Sequence, residues 1–366
     1  MSSSHALYQA AAIGPLSLRN RMVMAPLTRS RANELLEPTD LVVTYYTQRA
    51  SAGLIITEAT QVCPQGQGYI ATPGIYSEGQ VNAWKKVTES VHAKGGKICM
   101  QLWHVGRISH TFFQPNNAAP VAPSAVQANA KVFIPSGFDN VSMPRALTAD
   151  EINALVTTFK QAAVNAKKAG FDMIEVHGAN GYLIDQFLRN KTNLRTDNYG
   201  GSIENRARFL LEVVDAVCQV YEPWRVGVRI SPASTFNDID DSAPQPLYDF
   251  VARSLGARQL GYLHIIEGQT GGPRNARPDV DFEAIKSAFR SAGGLSIIAN
   301  NGYSKEMAES AVDEKRADLI AFGVPFIANP DLVARFVNDH PLNKPNPDTF
   351  YGGAEAGYTD YPAYPQ

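Results

Sequence analysis

Residues 171–209 read FDMIEVHGANGYLIDQFLRNKTNLRTDNYGGSIENRARF, and this stretch decides how the rest of the chain is read. Asp172 to Val176 has the β-branched, alternating character of a strand. A helix begins near Asn205. Between them, His177-Gly178-Ala179-Asn180-Gly181-Tyr182 puts an imidazole, an amide and a phenol at a strand's C-terminal end. The glycines let the backbone turn sharply and approach a ligand closely. These three side chains can grip a carbonyl oxygen and deliver a proton beside it. The plainer reading is a strand-end His bonded to a neighbouring carbonyl and a Tyr that packs its ring. The rest of the chain decides between the two.

Working outward, the same strand-then-helix unit recurs. A short hairpin over residues 13–21 precedes a first strand, Arg21 to Pro26. Thr39 and Asp40 stand where a helix running to about Ala50 needs its cap. Further strands are expected at Gly53–Thr60, Lys97–His104, Arg225–Ser231, Tyr262–Glu267, Ser296–Ala299 and Asp318–Phe322. Ser77-x-x-Gln80 and Thr148-x-x-Glu151 are capping boxes that open two of the intervening helices. Eight short β-branched strands, each followed by a helix, indicate a parallel buried sheet. With no break between halves and no GxGxxG after the first strand, a closed barrel is favoured over an open doubly wound sheet. The expected architecture is therefore α/β, one (β/α)₈ TIM barrel over residues 1–366 with an N-terminal hairpin. Residues 105–147, rich in Pro, Asn, Ser and Ala, form a long excursion after the third strand, a lid or binding loop with a short hairpin. The Pro- and Tyr-rich tail, 341–366, is expected to lie over the domain without regular structure.

Bulk properties exclude several classes. Lys+Arg 33 against Asp+Glu 35 gives a net charge of −2, so no basic surface calls for nucleic acid. No apolar run reaches the roughly 18 residues of a membrane span. The N-terminus has no charged region followed by a long apolar run, and Cys63, Cys99 and Cys218 stand far apart. Both point to a cytoplasmic, reducing environment.

A barrel interior is normally filled by Val, Ile and Leu. Here the strands carry Gln101, Glu175, His177, Arg229 and His264. Alternation along the fifth strand sends Val226, Val228 and Ile230 toward the helices and Arg229 inward. A buried Arg needs an anion. Glu175 is the plain candidate, and a ligand with negative charge is the other. The same parity sends Cys99, Gln101 and Trp103 inward. The last two strands lead into Asn300-Asn301-Gly302 and Gly323-Val324, where such barrels hold phosphate on backbone N–H groups. Thr28 lies just past the first strand, and Trp103, Tyr69 and Tyr351 offer aromatic walls. A flat, phosphorylated heterocycle with polar edges satisfies this set, and flavin mononucleotide is the natural candidate.

At this point the chain resembles the Old Yellow Enzyme family of flavin-dependent ene-reductases. The resemblance rests on Ala25-Pro-Leu-Thr-Arg29, Glu58-Ala59, Gln101-Leu-Trp-His104, His177-Gly-Ala-Asn180 and Tyr182-Leu-Ile-Asp-Gln-Phe-Leu188. It continues through Asn193-Leu-Arg-Thr-Asp197, Tyr199-Gly-Gly-Ser-Ile-Glu-Asn-Arg206, Phe326-Ile-Ala-Asn-Pro-Asp-Leu332 and Gly357-Tyr-Thr-Asp-Tyr-Pro362. It implies non-covalent FMN, with Pro26, Thr28 and Ala59 against the ring, Gln101 on its pyrimidine edge and Arg229 beside N1 and O2. Thr28 marks the main branch of the family. Asn301, Gly302, Gly323 and Val324 would flank the phosphate. The family carries Arg where this chain has Val324, and Lys305 and Arg274 are the cations near enough in sequence to substitute. His177 and Asn180 would bind the substrate oxygen, Tyr182 would donate the proton, and Trp103, Tyr69 and Tyr351 would shape the pocket.

The implied activity is NAD(P)H-dependent reduction of the activated C=C bond of unsaturated carbonyl, nitro or imide compounds. Hydride passes from flavin N5 to Cβ and a proton from Tyr182 to Cα, by a ping-pong mechanism, as in an NADPH dehydrogenase. The expected partners are small molecules, with the protein a monomer or homodimer. A flavin-dependent isomerase working by hydride shuttle is the nearest alternative. A metal-dependent hydrolase using His104, His177 and His264 is the remote one, and no metal is expected.

Overall fold

The structure is a computed structural model, which describes residues 5–365. Eight parallel strands close into a barrel: β1 (Met22–Met24), β2 (Leu54–Ile56), β3 (Ile98–Trp103), β4 (Met173–Gly178), β5 (Val226–Ile230), β6 (Tyr262–Ile266), β7 (Ser296–Asn300) and β8 (Leu319–Phe322). Each strand pairs in parallel with its neighbours in sequence, and β8 returns to β1 through Ala321 opposite Val23. The expected (β/α)₈ barrel is the fold. Two boundaries differ in informative ways. The second strand breaks at Thr57–Ala59 and resumes as Thr60–Gln61, which pairs with the far end of β3. β4 runs on through His177 and Gly178, so His177 sits in the ladder opposite Arg229 and not in the following loop.

Two apolar layers hold the barrel. Val226, Val228 and Ile230 face outward into the large layer shared with the helices. Val23, Leu54, Ile56, Cys99, Met173, Tyr262, Ile298 and Leu319 fill the interior, which Ile13 and Leu18 of the N-terminal hairpin (Ala11–Ile13, Leu16–Leu18) close from below. Gly227 is required by this filling: a Cβ there would lie 2.2 Å from the Tyr262 ring. Tyr262 thus occupies the inward position that β5 leaves vacant.

The principal helices are α1 (Asp40–Gln48), α2 (Glu78–Ala93), α3 (Ala149–Lys168), α4 (Ile203–Cys218), α5 (Pro244–Gly256), α6 (Phe282–Ser291), α7 (Lys305–Asp313) and α8 (Leu332–Val337). Both capping boxes form, Ser77 with Gln80 on α2 and Thr148 with Glu151 on α3. Thr39 does not cap α1; its hydroxyl turns to the Arg31 carbonyl at 3.4 Å, and Asp40 serves the helix dipole from the first turn. α4 starts two residues before the expected Asn205, because Ser202 accepts from the Asn205 N–H. The excursion 105–147 carries the expected hairpin, Lys131–Ile134 with Gly137–Asn140.

Beyond a short 3-10 helix, Pro347–Thr349, the described part of the tail is turns and irregular chain, yet it is firmly held. Arg29, fully buried, donates to the carbonyls of Phe350 (2.9 Å) and Gly357 (2.8 Å) and to the Tyr45 hydroxyl (3.0 Å). Arg31 donates to the Thr349 carbonyl at 3.0 Å. Tyr358 stacks on Tyr45 with centroids 4.1 Å apart.

Candidate active site

The strand register builds a polar layer across the C-terminal mouth. His177, Arg229 and His264 lie side by side on β4, β5 and β6. One layer below, Gln101 is opposite Glu175. The Glu175 carboxylate accepts from Gln101 Nε2 at 2.7 Å and pairs with His264 Nδ1 at 2.8 Å. Arg229 therefore does not take Glu175 as its direct partner. It donates through Nη2 to Asn300 Oδ1 at 2.8 Å.

Four buried polar atoms at this mouth have no partner among the described residues: Trp103 Nε1, His177 Nδ1, Arg229 Nε and His264 Nε2. They belong to β3, β4, β5 and β6 in succession. Buried groups are hydrogen-bonded in more than about nine cases in ten, so such a cluster needs a ligand. A planar, polar-edged group fits it.

The substrate side is built by the turn after β4. Asn180 adopts a left-handed φ of 61°, held by its N–H on Ser231 Oγ at 2.9 Å. Gly181 follows at φ 72°, and a Cβ on it would lie 2.7 Å from the Phe236 carbonyl. The turn is locked by Asp185, which accepts from Gly181 N–H (3.0 Å), Arg189 Nε (2.9 Å) and Tyr248 (3.0 Å). The Thr270 hydroxyl donates to Asn180 Oδ1 at 2.8 Å. That leaves the Asn180 amide N–H groups to face a ligand oxygen.

Burial drives the His177 pKa well below its ordinary value, with Arg229 and His264 adding to the effect. His177 is therefore neutral. Burial lifts Tyr182 to about 12, against opposing contacts from Tyr69 and Asn237. Tyr182 is protonated and sits in an aromatic box. Its ring meets Trp103 edge-on at 5.0 Å and His177 at 5.3 Å, while Tyr69 stacks on Trp103 at 5.7 Å.

The other expected positions surround this mouth. Pro26 and Ala59 are buried and Thr28 half-buried. Tyr351 is 69% exposed at the rim, on the tail segment that Arg29 clamps. The turns after β7 and β8 are neighbours, because Asn300 pairs with Ala321. Asn301 is buried at φ 112°, its amide on the Glu267 carbonyl at 2.8 Å. Val324 is 43% exposed, just after Gly323. Of the two cations named for this region, Lys305 is engaged elsewhere, with Asp339 and Glu309. Arg274 does reach the turn, donating to the Asn301 carbonyl at 2.7 Å while paired with Glu267. His104 takes no part in the layer; its Nδ1 accepts from Gly106 N–H at 3.1 Å. Among the described residues no group of three or more His, Cys, Asp or Glu is placed to hold a metal ion.

Sequence reasoning missed Thr270, Asn237, Ser231 and Asp185. All but Asp185 lie in loops after β5 and β6, where no periodic signal exists. Asp185 had one available signal, its four-residue spacing to Arg189 on one helical face.

Comparisons with known proteins agree with this geometry. Residues 6–343 match the NADH:flavin oxidoreductase / NADH oxidase family. The chain is 44% identical to a putative 12-oxophytodienoate reductase 11 of Oryza sativa subsp. japonica, over 100% of this chain and 99% of the relative. It is 45% identical to a probable flavin mononucleotide-dependent alkene reductase of Leishmania infantum, over 96% and 95%. Among solved structures, morphinone reductase superposes with a TM-score of 0.93 at 48% identity, covering 99% of this chain and 97% of that one. The old yellow enzyme homologue from Zymomonas mobilis gives 0.91 at 40% identity, covering 98% and 99%. A closed eight-stranded barrel with this polar mouth, in a chain that matches that family over residues 6–343, is of the flavin oxidoreductase class. The chain belongs to the Old Yellow Enzyme family of FMN-dependent oxidoreductases. No helix among the described residues is long and apolar enough to cross a membrane.

Proposed function

We propose that this enzyme reduces the activated C=C bond of α,β-unsaturated carbonyl compounds, and of related nitro and imide compounds, with NADPH or NADH. The carrying observation is the Thr270 bond to Asn180 Oδ1, which leaves the Asn180 amide N–H groups available to a ligand oxygen in the turn that joins His177 to Tyr182. FMN, when bound, would supply the hydride chemistry that links the nicotinamide to the β-carbon. Pro26, Thr28, Ala59, Gln101 and Arg229 would hold its ring, and Asn301, Gly302, Gly323 and Val324 would flank its phosphate. A solved structure of morphinone reductase in complex with tetrahydroNAD, 48% identical to this chain, supports a nicotinamide as the reductant.

The chain's own residues account for the remaining chemistry. Neutral His177 and the Asn180 amide donate to the substrate oxygen, where negative charge develops as the β-carbon is attacked. Arg229 adds a fixed positive charge nearby. Tyr182 gives its proton to Cα. Trp103, Tyr69 and Tyr351 exclude water from that face.

The test is an anaerobic assay of the flavin-loaded protein with NADPH or NADH and a panel of enones, maleimides and nitroalkenes. Saturated product, with deuterium from solvent at Cα, is expected. An isomerised alkene with no nicotinamide consumed would overturn the reading.

A further inference from the structure

Tyr182 must keep its proton pointed at the substrate, then carry a negative charge once that proton has left. Its surroundings are built for both states. The Tyr69 hydroxyl lies 3.0 Å from the Tyr182 hydroxyl. If Tyr182 donated that bond, its proton would face Tyr69 and not the substrate, so the productive sense has Tyr69 donating. The Asn237 side chain also favours the ionised form of both phenols. One of its N–H groups donates to the Asn180 carbonyl at 2.9 Å, which leaves the second for the phenols.

Nothing about Asn237 is casual. It holds a left-handed φ of 61°, a conformation asparagine tolerates better than most residues. Arg107, buried at the root of the excursion, donates to the carbonyls of Asn237 (3.3 Å) and Asp238 (2.8 Å), and to Val126 at 3.1 Å. Gly181 has no side chain where a Cβ would press within 2.9 Å of the Asn237 Cβ. The oxygen-binding turn and the Asn237 loop are therefore fitted to each other.

We propose that Tyr69 and Asn237 are positioning residues that form a two-donor cradle for the Tyr182 phenolate, and that Tyr69 returns the proton Tyr182 has given away. This rests on Tyr182 being the proton donor of the proposed reaction. In the transfer, the Tyr182 O–H bond breaks as the Cα–H bond forms. The Tyr69 O–H proton then moves to the Tyr182 oxygen, and Tyr69, which is half-buried at the mouth, recovers a proton from water. The remaining groups acting on Tyr182 are the charge of Arg229, the phenol of Tyr351 and the neutral ring of His177. None of them supplies a donor aimed at the phenol oxygen.

The experiment places a difluorotyrosine at position 182, which lowers the phenol pKa into a workable range, and follows its ionisation by fluorine NMR in the FMN-bound protein. The same titration is run in Tyr69→Phe and Asn237→Gly backgrounds. Glycine keeps the left-handed backbone and removes only the side chain. Each variant should raise the position-182 ionisation by about one pH unit or more, a tenfold or larger loss of acidity, as expected for removing a donor to an anion. Ionisation that stays put in either variant overturns the cradle. Failure of the proposed function shows differently: Tyr182→Phe would then reduce enones at the wild-type rate.

Discussion

His177 is neutral at pH 7 because burial lowers its pKa, with Arg229 and His264 acting in the same direction, so its role is to donate a hydrogen bond and not to carry charge. Tyr182, with a pKa pushed up to about 12, keeps its proton throughout the same range. Tyr182→Phe should therefore leave reduction of the bound flavin by NADPH intact and slow its reoxidation by an enone by about 10²–10⁴-fold, the usual value of a general acid. Stopped-flow absorbance of the two half-reactions checks this, and equal losses in both would count against it. His104 makes a different case, since it is buried outside the polar layer and serves structure alone. Burial lowers its pKa from 6.5 to about 3. Between those values the unfolded chain binds a proton that the native chain does not. The stability linked to His104 is thus fully present above pH 6.5 and is lost as pH falls toward 3. His104→Asn can still accept the Gly106 N–H bond but does not titrate. The difference in unfolding free energy between wild type and variant should be flat above pH 6.5. Below it, the wild type should lose up to about 1.4 kcal/mol per pH unit relative to the variant. Urea unfolding of both proteins at several pH values measures it.

Among the elements, the two turns after β7 and β8 decide how an FMN phosphate would be held. Val324 stands where a cation is expected, and Lys305 is engaged with Asp339 and Glu309. Arg274 is the cation that touches the Asn301 turn. Val324→Arg should tighten FMN by roughly tenfold or more, since one charge-assisted bond is worth about 1.5–3 kcal/mol. Arg274→Met should weaken FMN while leaving riboflavin, which lacks the phosphate, unchanged. Titrating the apoprotein with both flavins gives the answer. An unchanged FMN constant in Val324→Arg would mean that the phosphate does not sit against this turn.

At the scale of the whole molecule, the barrel was legible because periodicity and capping are local signals. Strand β5 reads inside-outside from Val226 to Ile230, and both capping boxes form as their spacing requires. The triplet His177, Asn180 and Tyr182 was legible because the chain turns sharply between glycines. What sequence could not carry was pairing between distant elements. Glu175 was one of two candidates for the anion beside Arg229, and the register put His264 and Gln101 against it instead. Thr270 and Asn237 reach the site from loops with no period at all. The tail looked irregular, and it is, yet Tyr358 is fully buried between Arg29, Arg31 and Tyr45. Tyr358→Ala should destabilise the protein by roughly 3–5 kcal/mol, as other large aromatic-to-alanine changes in cores do. Chemical denaturation tests it, and a loss under about 1 kcal/mol would mean that the tail is a loose cover.

The Arg29 bond to the Gly357 carbonyl joins residues 328 positions apart. In time this means that a guanidinium waits for a partner translated 328 residues later. Until then the first strand has neither β8 nor the tail beside it. Contacts of such long sequence range slow folding and lengthen the life of partly open chains. The rim that carries Tyr351 is thus among the last parts of the molecule to form, and a nascent chain stalled short of it would offer an unguarded flavin site.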